Sequence, residues 1–416
     1  MAKIRLGVIF GSRACEHDVS IISALQCMDA VDSSQYEVIP IYISREGAWY
    51  IGDRLRDIAF MRKFSPDAEG ITRVFPDVTA GSGALMTVER KRNLFSTSRS
   101  LVIIARLDVA HLVLHGLHGE DGSVQGLLEL MNVPYTSSGL VGSAVGMDKI
   151  AMRQLFRGCG FPVLDAAWLT RDEWQNNPQQ VIRHITEKLS YPVYVKPANL
   201  GSSIGISRAA DEDALREAIE VALSYDRRVI VETGIENPVE VNCSVVGFGA
   251  DVRASVCEMP VRWEEFLTFE EKYLSGTKSS KGTSADGSKL EGGMASLKRK
   301  IPAPISEKLT ADIQALSIDI FKALDCKGVV RIDFMLDGDT LYVGEINTIP
   351  GSLAFYLWEP MGISYSKLID QMVEYAYKAH AEKNQSVFAF DSNLLTQMAS
   401  GTKGGKMGSK TGKKLP

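Results

Sequence analysis

The chain has 416 residues, too many for one ordinary core, so two or three domains are expected. Hydrophobic residues make up 45% and charged residues 23%; the net charge is -5 with no long basic stripe in the body, which argues against nucleic acid as the main partner. The six cysteines (Cys15, Cys27, Cys159, Cys243, Cys257 and Cys326) form no CxxC and no zinc spacing, the opening MAKIRLGVIFGS has no signal-peptide core, and no apolar run spans a bilayer, so a cytoplasmic protein with reduced thiols is expected.

IRLGVIFG (4–11) reads as a buried strand, VSIISALQCMDAV as a helix with apolar residues at helical spacing, and YEVIPIYIS as the next strand. VAHLVLHGLHG is a strand running into a Gly-rich loop, and GSVQGLLELMNV is its helix. The fold class expected is α/β, α+β in the C-terminal part, opening on a doubly wound, mainly parallel sheet over 1–143. A second unit, 144–232, begins with one helix through GSAVGMDKIAMRQLFRGCG, continues as strand, Gly/Ser loop and strand in YPVYVKPANLGSSIGISRA, and closes with a helix and the strand RVIVETGI. The third unit, 233–384, opens on antiparallel strands in PVEVNCSVVGFGADVRASVCEM. A Ser/Gly/Lys-rich lid loop over 274–301 and the amphipathic helix EKLTADIQALSIDIFKALDC follow. The Gly/Lys-rich stretch 385–416 is expected to be disordered.

The hairpin RIDFMLDGDTLYVGEINTIPGS (331–352) carries Arg331, Asp333, Glu345 and Asn347 in segments that otherwise read as core strand. Charged groups avoid such strands unless they are paired or bind something. A three-residue loop sets Leu336 opposite Thr340 and Arg331 opposite Glu345. Arg331, Asp333, Val343, Glu345 and Asn347 then share one face, with Asp333 and Glu345 as diagonal neighbours. A two-residue loop would flip Glu345 away, so a metal site predicts the longer loop. Two carboxylates and an amide oxygen are hard ligands suited to Mg²⁺ that shares positions with nucleotide phosphates, and Arg331 suits a developing oxyanion. The competing reading is a solvated face with Arg–Glu cross-strand pairing.

Other loops are weaker signals taken singly. Lys196 ends a strand before the small residues 201–205, which reads either as a phosphate cradle or as an ordinary hairpin turn. Lys149 lies near a helix start. Glu232 and Glu240 could accept from an exocyclic amine and from sugar hydroxyls, or be surface charges. Glu16 sits at a strand-to-helix turn where Asp18 or Ser20 could be a simple cap. His115 and His118 lie three apart beside Glu120 and Asp121, which fits polar loop packing better than a transition metal.

Taken together, EHDVSIISA, HGLHGEDGSVQG, VKPANLGSSIGIS and RIDFMLDGDTLYVGEINTIPG resemble the D-alanine–D-alanine ligases of the ATP-grasp superfamily, over most of residues 4–380. The resemblance implies three domains with ATP between the second and third, and a ligase that joins two D-alanines for peptidoglycan precursors through an acylphosphate. It also implies two Mg²⁺ or Mn²⁺ ions on Asp333, Glu345 and Asn347, and a homodimer. Residue by residue, it gives the first D-alanine's ammonium to Glu16, with Ser202 and Tyr273 as network partners and His115 near that substrate. Lys149 and Lys196 would meet the α/β-phosphates, Lys272 the γ-phosphate, Glu232 the adenine and Glu240 the ribose. Arg331 and the Gly351 N–H would form the oxyanion hole.

The chain departs from the family pattern in three places. Gly11-Ser12 stands for a Gly-Gly turn, and the lid loop is longer and richer in lysine. Tyr356 stands where the family carries the serine of a Ser-Leu pair that binds the second substrate's carboxylate, with Leu357 retained. The alternatives are therefore a ligase with another acceptor, such as D-Ser, D-lactate or another small amine or hydroxy acid, or a nucleotide-binding protein without catalysis.

Overall fold

The structure, a computed structural model, describes residues 2–93, 96–260 and 299–388. The first sheet has seven strands: β1 (Ile4–Gly11), β2 (Tyr36–Ile43), β3 (Trp49–Ile51), β4 (Thr72–Pro76), β5 (Ala84–Asn93), β6 (Ser96–Arg106) and β7 (Val109–Leu112), in the order β6-β5-β4-β3-β2-β1-β7. The helices α1 (His17–Ala30), α2 (Ile58–Met61) and α3 (Ser123–Met131) belong to this part of the chain. The α/β class stands, but the expected mainly parallel sheet is corrected: it is mixed, with more antiparallel than parallel pairings. Only β1–β2 and β1–β7 pair in parallel, while β2 through β6 pair antiparallel. A parallel neighbour needs a crossover of a dozen or more residues, and the short β2–β3 connection can only turn back.

One helix was expected through residues 142–160; there are two, α4 (Leu140–Met147) and α5 (Lys149–Gly158). The break is Asp148, which leaves helical geometry and accepts from the N–H groups of Ile150 and Ala151 as the cap of α5. Its other oxygen pairs with Arg228. The break puts Lys149 in the first turn of α5 and aims its ammonium at the second sheet.

That sheet is antiparallel in the order β10-β9-β11-β8, from β8 (Ala166–Thr170), β9 (Val193–Pro197), β10 (Ser207–Ala209) and β11 (Arg228–Thr233). The helices α6 (Arg171–Asn176), α7 (Pro178–Thr186) and α8 (Glu212–Tyr225) go with it. The expected strand, Gly/Ser loop and strand are β9, residues 198–206 and β10. A third antiparallel sheet, β14-β13-β12-β15-β16, comes from β12 (Val239–Phe248), β13 (Asp251–Pro260), β14 (Arg299–Lys300), β15 (Gly328–Asp337) and β16 (Thr340–Asn347). It carries α9 (Glu307–Ala323), capped by Ser306. The end of the expected lid loop is therefore strand, since Arg299 and Lys300 pair with Pro260 and Met259. The rest of that loop up to residue 298, and the expected disordered tail from residue 389, lie outside the described residues.

Each sheet has its own apolar core. The chain then returns to the first of them. Leu353, Leu357, Trp358 and, from α10 (Tyr365–Lys383), Leu368, Met372 and Tyr375 join Phe10 and Leu25 in the core of the seven-stranded sheet. This return packs the turn after Pro350 against α1, where the Ser352 N–H donates to Ser23 Oγ at 3.2 Å and its hydroxyl donates to Gln26 at 2.9 Å. Among the described residues no helix is long and apolar enough to cross a membrane.

Candidate active site

The β15–β16 hairpin closes with two residues, not three, because Asp337 pairs with Thr340. That register alone would have turned Glu345 to the far side. A bulge between Asp333 and Phe334 corrects it, so that Asp333 faces Glu345 and Arg331 faces Asn347. The extra residue is Gly344, where a Cβ would stand 2.7 Å from the carbonyl oxygen of Asp333, closer than any side chain tolerates. The four polar residues share a face as expected, by a different route. Val343 goes to the opposite face, fully buried against Phe334.

The polar row extends across the sheet. Asn242 on β12 lies opposite Asp333, and Glu258 on β13 lies opposite Asn242. Arg331 holds Asp333 through two bonds, Nε–Oδ1 at 2.6 Å and Nη2–Oδ2 at 2.7 Å, and the Asn347 amide donates to Asp333 Oδ2 at 3.0 Å. Burial pushes the Asp333 carboxyl up to about 6, against the pull of Arg331, with Glu240 and Glu345 adding to the rise. Glu240, opposite Met335, is on this face and accepts from Asn242 at 3.4 Å. Among the described residues no three His, Cys, Asp or Glu side chains form a ready-made metal cage. Two carboxylates and an amide fit a hard cation that takes its other ligands from phosphate and water.

Lys149 links this face to the second sheet. Its ammonium donates to the Leu200 carbonyl at 2.7 Å and stands 3.4 Å from Glu345 Oε2. Glu232, buried at the end of β11, is gripped by Lys196 at 2.6 Å and by Arg153. Burial opposes its ionisation, but Arg153 and Lys196 outweigh burial and hold it down to about 2. Arg153 was not anticipated. It also donates to the carbonyls of Val343 at 2.7 Å and Gly344 at 3.2 Å, tying the bulge to Glu232. A signal was present: Lys149 and Arg153 are four apart, on one face of α5, and both are buried.

Glu16 precedes α1 without capping it through its side chain, and neither expected cap does so; Ser20 is instead buried between the Gly11 N–H and the Val113 carbonyl. The Glu16 carboxylate is pinched between two glycines: a Cβ on Gly116 would lie 2.3 Å from Oε2, and one on Gly201 2.6 Å from Oε1. Burial raises its pKa, while its own backbone, Ser202 and Lys149 work the other way. Oε2 is buried with no hydrogen-bond partner, a position that asks for a donor. His115 bonds the Ile349 carbonyl and Ser23 Oγ, each at 2.9 Å, and burial lowers it to about 4. It therefore stands neutral and positions the segment leading to Gly351. Glu120 accepts from the N–H groups of Gly116 and Ile349, both at 3.1 Å, and burial pushes it up to about 8. His118 is exposed beside Asp121, so the two histidines do not converge.

Gly351 opens a tight turn (Gly351–Leu357) in which Ser352, Leu353 and Ala354 all hold left-handed backbone at φ 50–52°, with all three buried. Such strain survives only where packing over-determines it, and it clusters at functional sites. Ser12, where the family pattern has glycine, likewise holds φ 89°. The turn delivers Tyr356 to a buried position beside Glu258 of the polar row, and Leu357 into the apolar core of the first sheet. Lys272 and Tyr273 lie outside the described residues. Asn242 and Glu258 were also missed, although polar residues at 240, 242 and 244 alternate with Val239, Val241, Cys243 and Val245 along β12.

Two antiparallel sheets with cationic and acidic side chains between them, approached by the glycine-rich loops of a third, define the ATP-grasp class. A family model described as D-ala D-ala ligase N-terminus matches residues 5–138, and one described as D-ala D-ala ligase C-terminus matches residues 155–374. The chain belongs to the D-alanine–D-alanine ligase family. It is 37% identical to a D-alanine--D-alanine ligase of Thermosipho africanus over 94% of this chain and 98% of that one. It is 36% identical to that of Geobacillus thermodenitrificans over 94% and 100%. Among solved structures, the D-alanine-D-alanine ligase of Coxiella burnetii superposes with a TM-score of 0.71 at 27% identity, covering 92% of this chain and 97% of that one. The VanG D-Ala:D-Ser ligase of Enterococcus faecalis superposes with 0.72 at 26%, covering 90% and 100%.

Proposed function

We propose that the chain joins two D-alanines at the expense of ATP, giving D-alanyl-D-alanine for peptidoglycan precursors. A carboxylate is a poor acyl donor, so the γ-phosphoryl group is first transferred to the donor D-alanine and the amine of the acceptor then displaces phosphate. Such chemistry is carried by positioning and charge neutralisation. The observation that carries the reading is the bulge at Gly344, which brings Asp333, Glu345 and Asn347 together against Lys149. Two Mg²⁺ or Mn²⁺ ions held there would neutralise phosphate charge. Arg331 and the Gly351 N–H stabilise the oxyanion. Lys149 and Lys196 take the α/β-phosphates, Lys272 the γ-phosphate, Glu232 the adenine and Glu240 the ribose. Glu16, whose Oε2 wants a donor, holds the donor's ammonium, with Ser202 and Tyr273 as partners; His115 keeps the Gly351 segment in place.

We divide the chain into domains 1–143, 144–232 and 233–384, one around each sheet, with the segment after Gly351 packing back into the first core. We place the protein in the cytoplasm, where ATP is available and its six free cysteines stay reduced. We assign it a homodimeric state, for which Val88, Leu101, Ile103 and Ile104 offer exposed apolar surface on β5 and β6. Sedimentation as a monomer would remove that assignment.

A second reading, with D-serine as acceptor, is favoured by Tyr356 and by the likeness to the D-Ala:D-Ser ligase. One experiment separates the readings: ATP, Mg²⁺ and D-alanine, then D-alanine with D-serine or D-lactate, with phosphate release and product mass recorded. D-Alanyl-D-alanine as the main product supports the first reading. A mixed product alone moves the acceptor assignment, and ATP binding without phosphate release on any pair overturns catalysis.

A further inference from the structure

His17 follows Glu16 directly and is a buried titratable side chain that no step above uses. It opens the first turn of α1, and its ring reaches back to the start of the loop 12–16. Nδ1 lies 2.6 Å from the Ser12 carbonyl oxygen, and Nε2 lies 3.1 Å from the Tyr42 hydroxyl. A carbonyl can only accept, so Nδ1 carries the hydrogen and Nε2 is the acceptor for the phenol's O–H. The neutral ring satisfies both bonds, and burial, which lowers the pKa of His17, favours that form.

Both partners are held from behind. Tyr42 on β2 packs edge-on against Phe64, 4.7 Å between ring centroids, and stands 5.7 Å from Phe10, so it is an anchor inside the first core. Ser12 keeps φ 89° although it is not glycine. Its N–H donates to the Ile43 carbonyl at 2.8 Å, and its hydroxyl donates at 3.4 Å to the carbonyl of Leu117, the neighbour of Gly116. Strained backbone of this kind stays in place only where several bonds over-determine it. Between Ser12 and His17, Arg13 and Cys15 are exposed, so the loop has little packing of its own. The imidazole closes it from the inside, from the side chain of His17 to the main chain of Ser12. Glu16 takes its position from that closure. Its carboxylate sits between Gly116 and Gly201 with Oε2 unpartnered, where a small shift of the loop would move the atom assigned to the donor's ammonium.

We propose that His17 is a positioning residue for the donor amino acid: its ring ties Ser12 to Tyr42 and thereby sets the Glu16 carboxylate to receive the donor's ammonium. This rests on the ligase reading above and deepens it, since it names what holds the donor site in register. The side chain touches no substrate and acts only through Glu16.

The test is steady-state phosphate release over a wide D-alanine range and a wide ATP range, with donor, acceptor and ATP KM values fitted separately. His17→Gln sets an amide opposite Tyr42 and leaves the Ser12 carbonyl without its donor. Its donor KM rises about tenfold, the loss of one buried hydrogen bond, while the acceptor and ATP KM values stay within about twofold. His17→Asn sets an amide nitrogen where Nδ1 stands, restores the bond to Ser12 and keeps the donor KM within about threefold. An unchanged donor KM in folded His17→Gln overturns the proposal. So does an equal rise in all three KM values, the mark of general loosening, and so does a His17→Asn donor KM as high as that of His17→Gln. If His17→Gln does not fold, Tyr42→Phe decides, because it keeps the aromatic packing and removes only the O–H to Nε2. A donor KM about threefold above wild type then supports the proposal, and one equal to wild type overturns it. Wild-type protein that releases no phosphate with D-alanine strikes the ligase reading itself, a result distinct from a normal wild type with an indifferent His17→Gln.

Discussion

Glu232, on the nucleotide side, and Glu120, in the glycine-rich loop of the first sheet, are both glutamates largely shielded from water, Glu232 almost fully and Glu120 with 13% of its side chain exposed, and they behave oppositely. Glu232 is held by Arg153 and Lys196 and stays ionised down to about 2. Glu120 meets two backbone N–H groups, with Glu16 and Glu345 nearby, and keeps its proton up to about 8. Asp333, with one arginine, falls between them at about 6. Burial is common to all three, so the number of cations within reach decides whether a carboxylate serves as a charge or as a neutral strut. The charged ones line the face assigned to nucleotide and metal. The neutral one ties the Gly116 loop to Ile349.

The largest expected effect comes from taking the charge off the intermediate member. Asp333→Asn should lower turnover by about 10³-fold or more in a protein that still folds, since several kcal/mol of transition-state charge stabilisation are lost. Turnover within tenfold of wild type would detach Asp333 from the chemistry. Arg153→Leu comes next. It leaves Glu232 with one cation and unpins the Val343 and Gly344 carbonyls, so a stability loss of about 3 kcal/mol is expected in urea unfolding. If Arg153→Leu unfolds like wild type, the two-cation explanation of Glu232 fails.

The smallest effect is in the pH dependence of stability. Glu232 has a folded pKa below its unfolded value of about 4.3, so its contribution is present above that value and is lost as pH falls toward 2. Glu120 has a folded pKa above it. The folded state then holds a proton that the unfolded chain releases, so its contribution is full below about 4.3 and is lost as pH rises through about 8. Glu120→Gln should therefore flatten the decline between pH 5 and 8 by about 1–2 kcal/mol without altering the acid limb. An unchanged slope in unfolding midpoints would mean that Glu120 is ionised in the folded protein.

Much of this site was legible in the sequence because its signals are local. Period-two alternation marked β12, β13, β15 and β16, and the excess of polar residues in one strand pair marked Arg331, Asp333, Glu345 and Asn347. Turn length misled, since a two-residue loop plus a bulge yields the same facing pair as a longer loop, and a bulge depends on one close approach, Gly344 to the Asp333 carbonyl. The partners of Arg153 and Glu258 were not legible for another reason. The spacing from Lys149 marks the face of α5 on which Arg153 lies, but neither residue shows its partner until segments distant in sequence are brought beside it. Parallel or antiparallel pairing in the first sheet was equally hidden, because strand propensity does not encode direction.

The sequence by itself determined β1, β2 and β7, the strands of the second and third sheets that carry the site, the glycine-rich loops and the four polar residues of the β15–β16 hairpin, because hydrophobic period and turn chemistry act over a few residues. Only the tertiary structure decided which carboxylates are charged, how Glu345 comes to face Asp333, and that the segment after Gly351 returns to the first core, carrying Tyr356 to within reach of Glu258 and Arg299. Those outcomes depend on burial and on distances between strands far apart in the chain, and neither exists until the chain has folded.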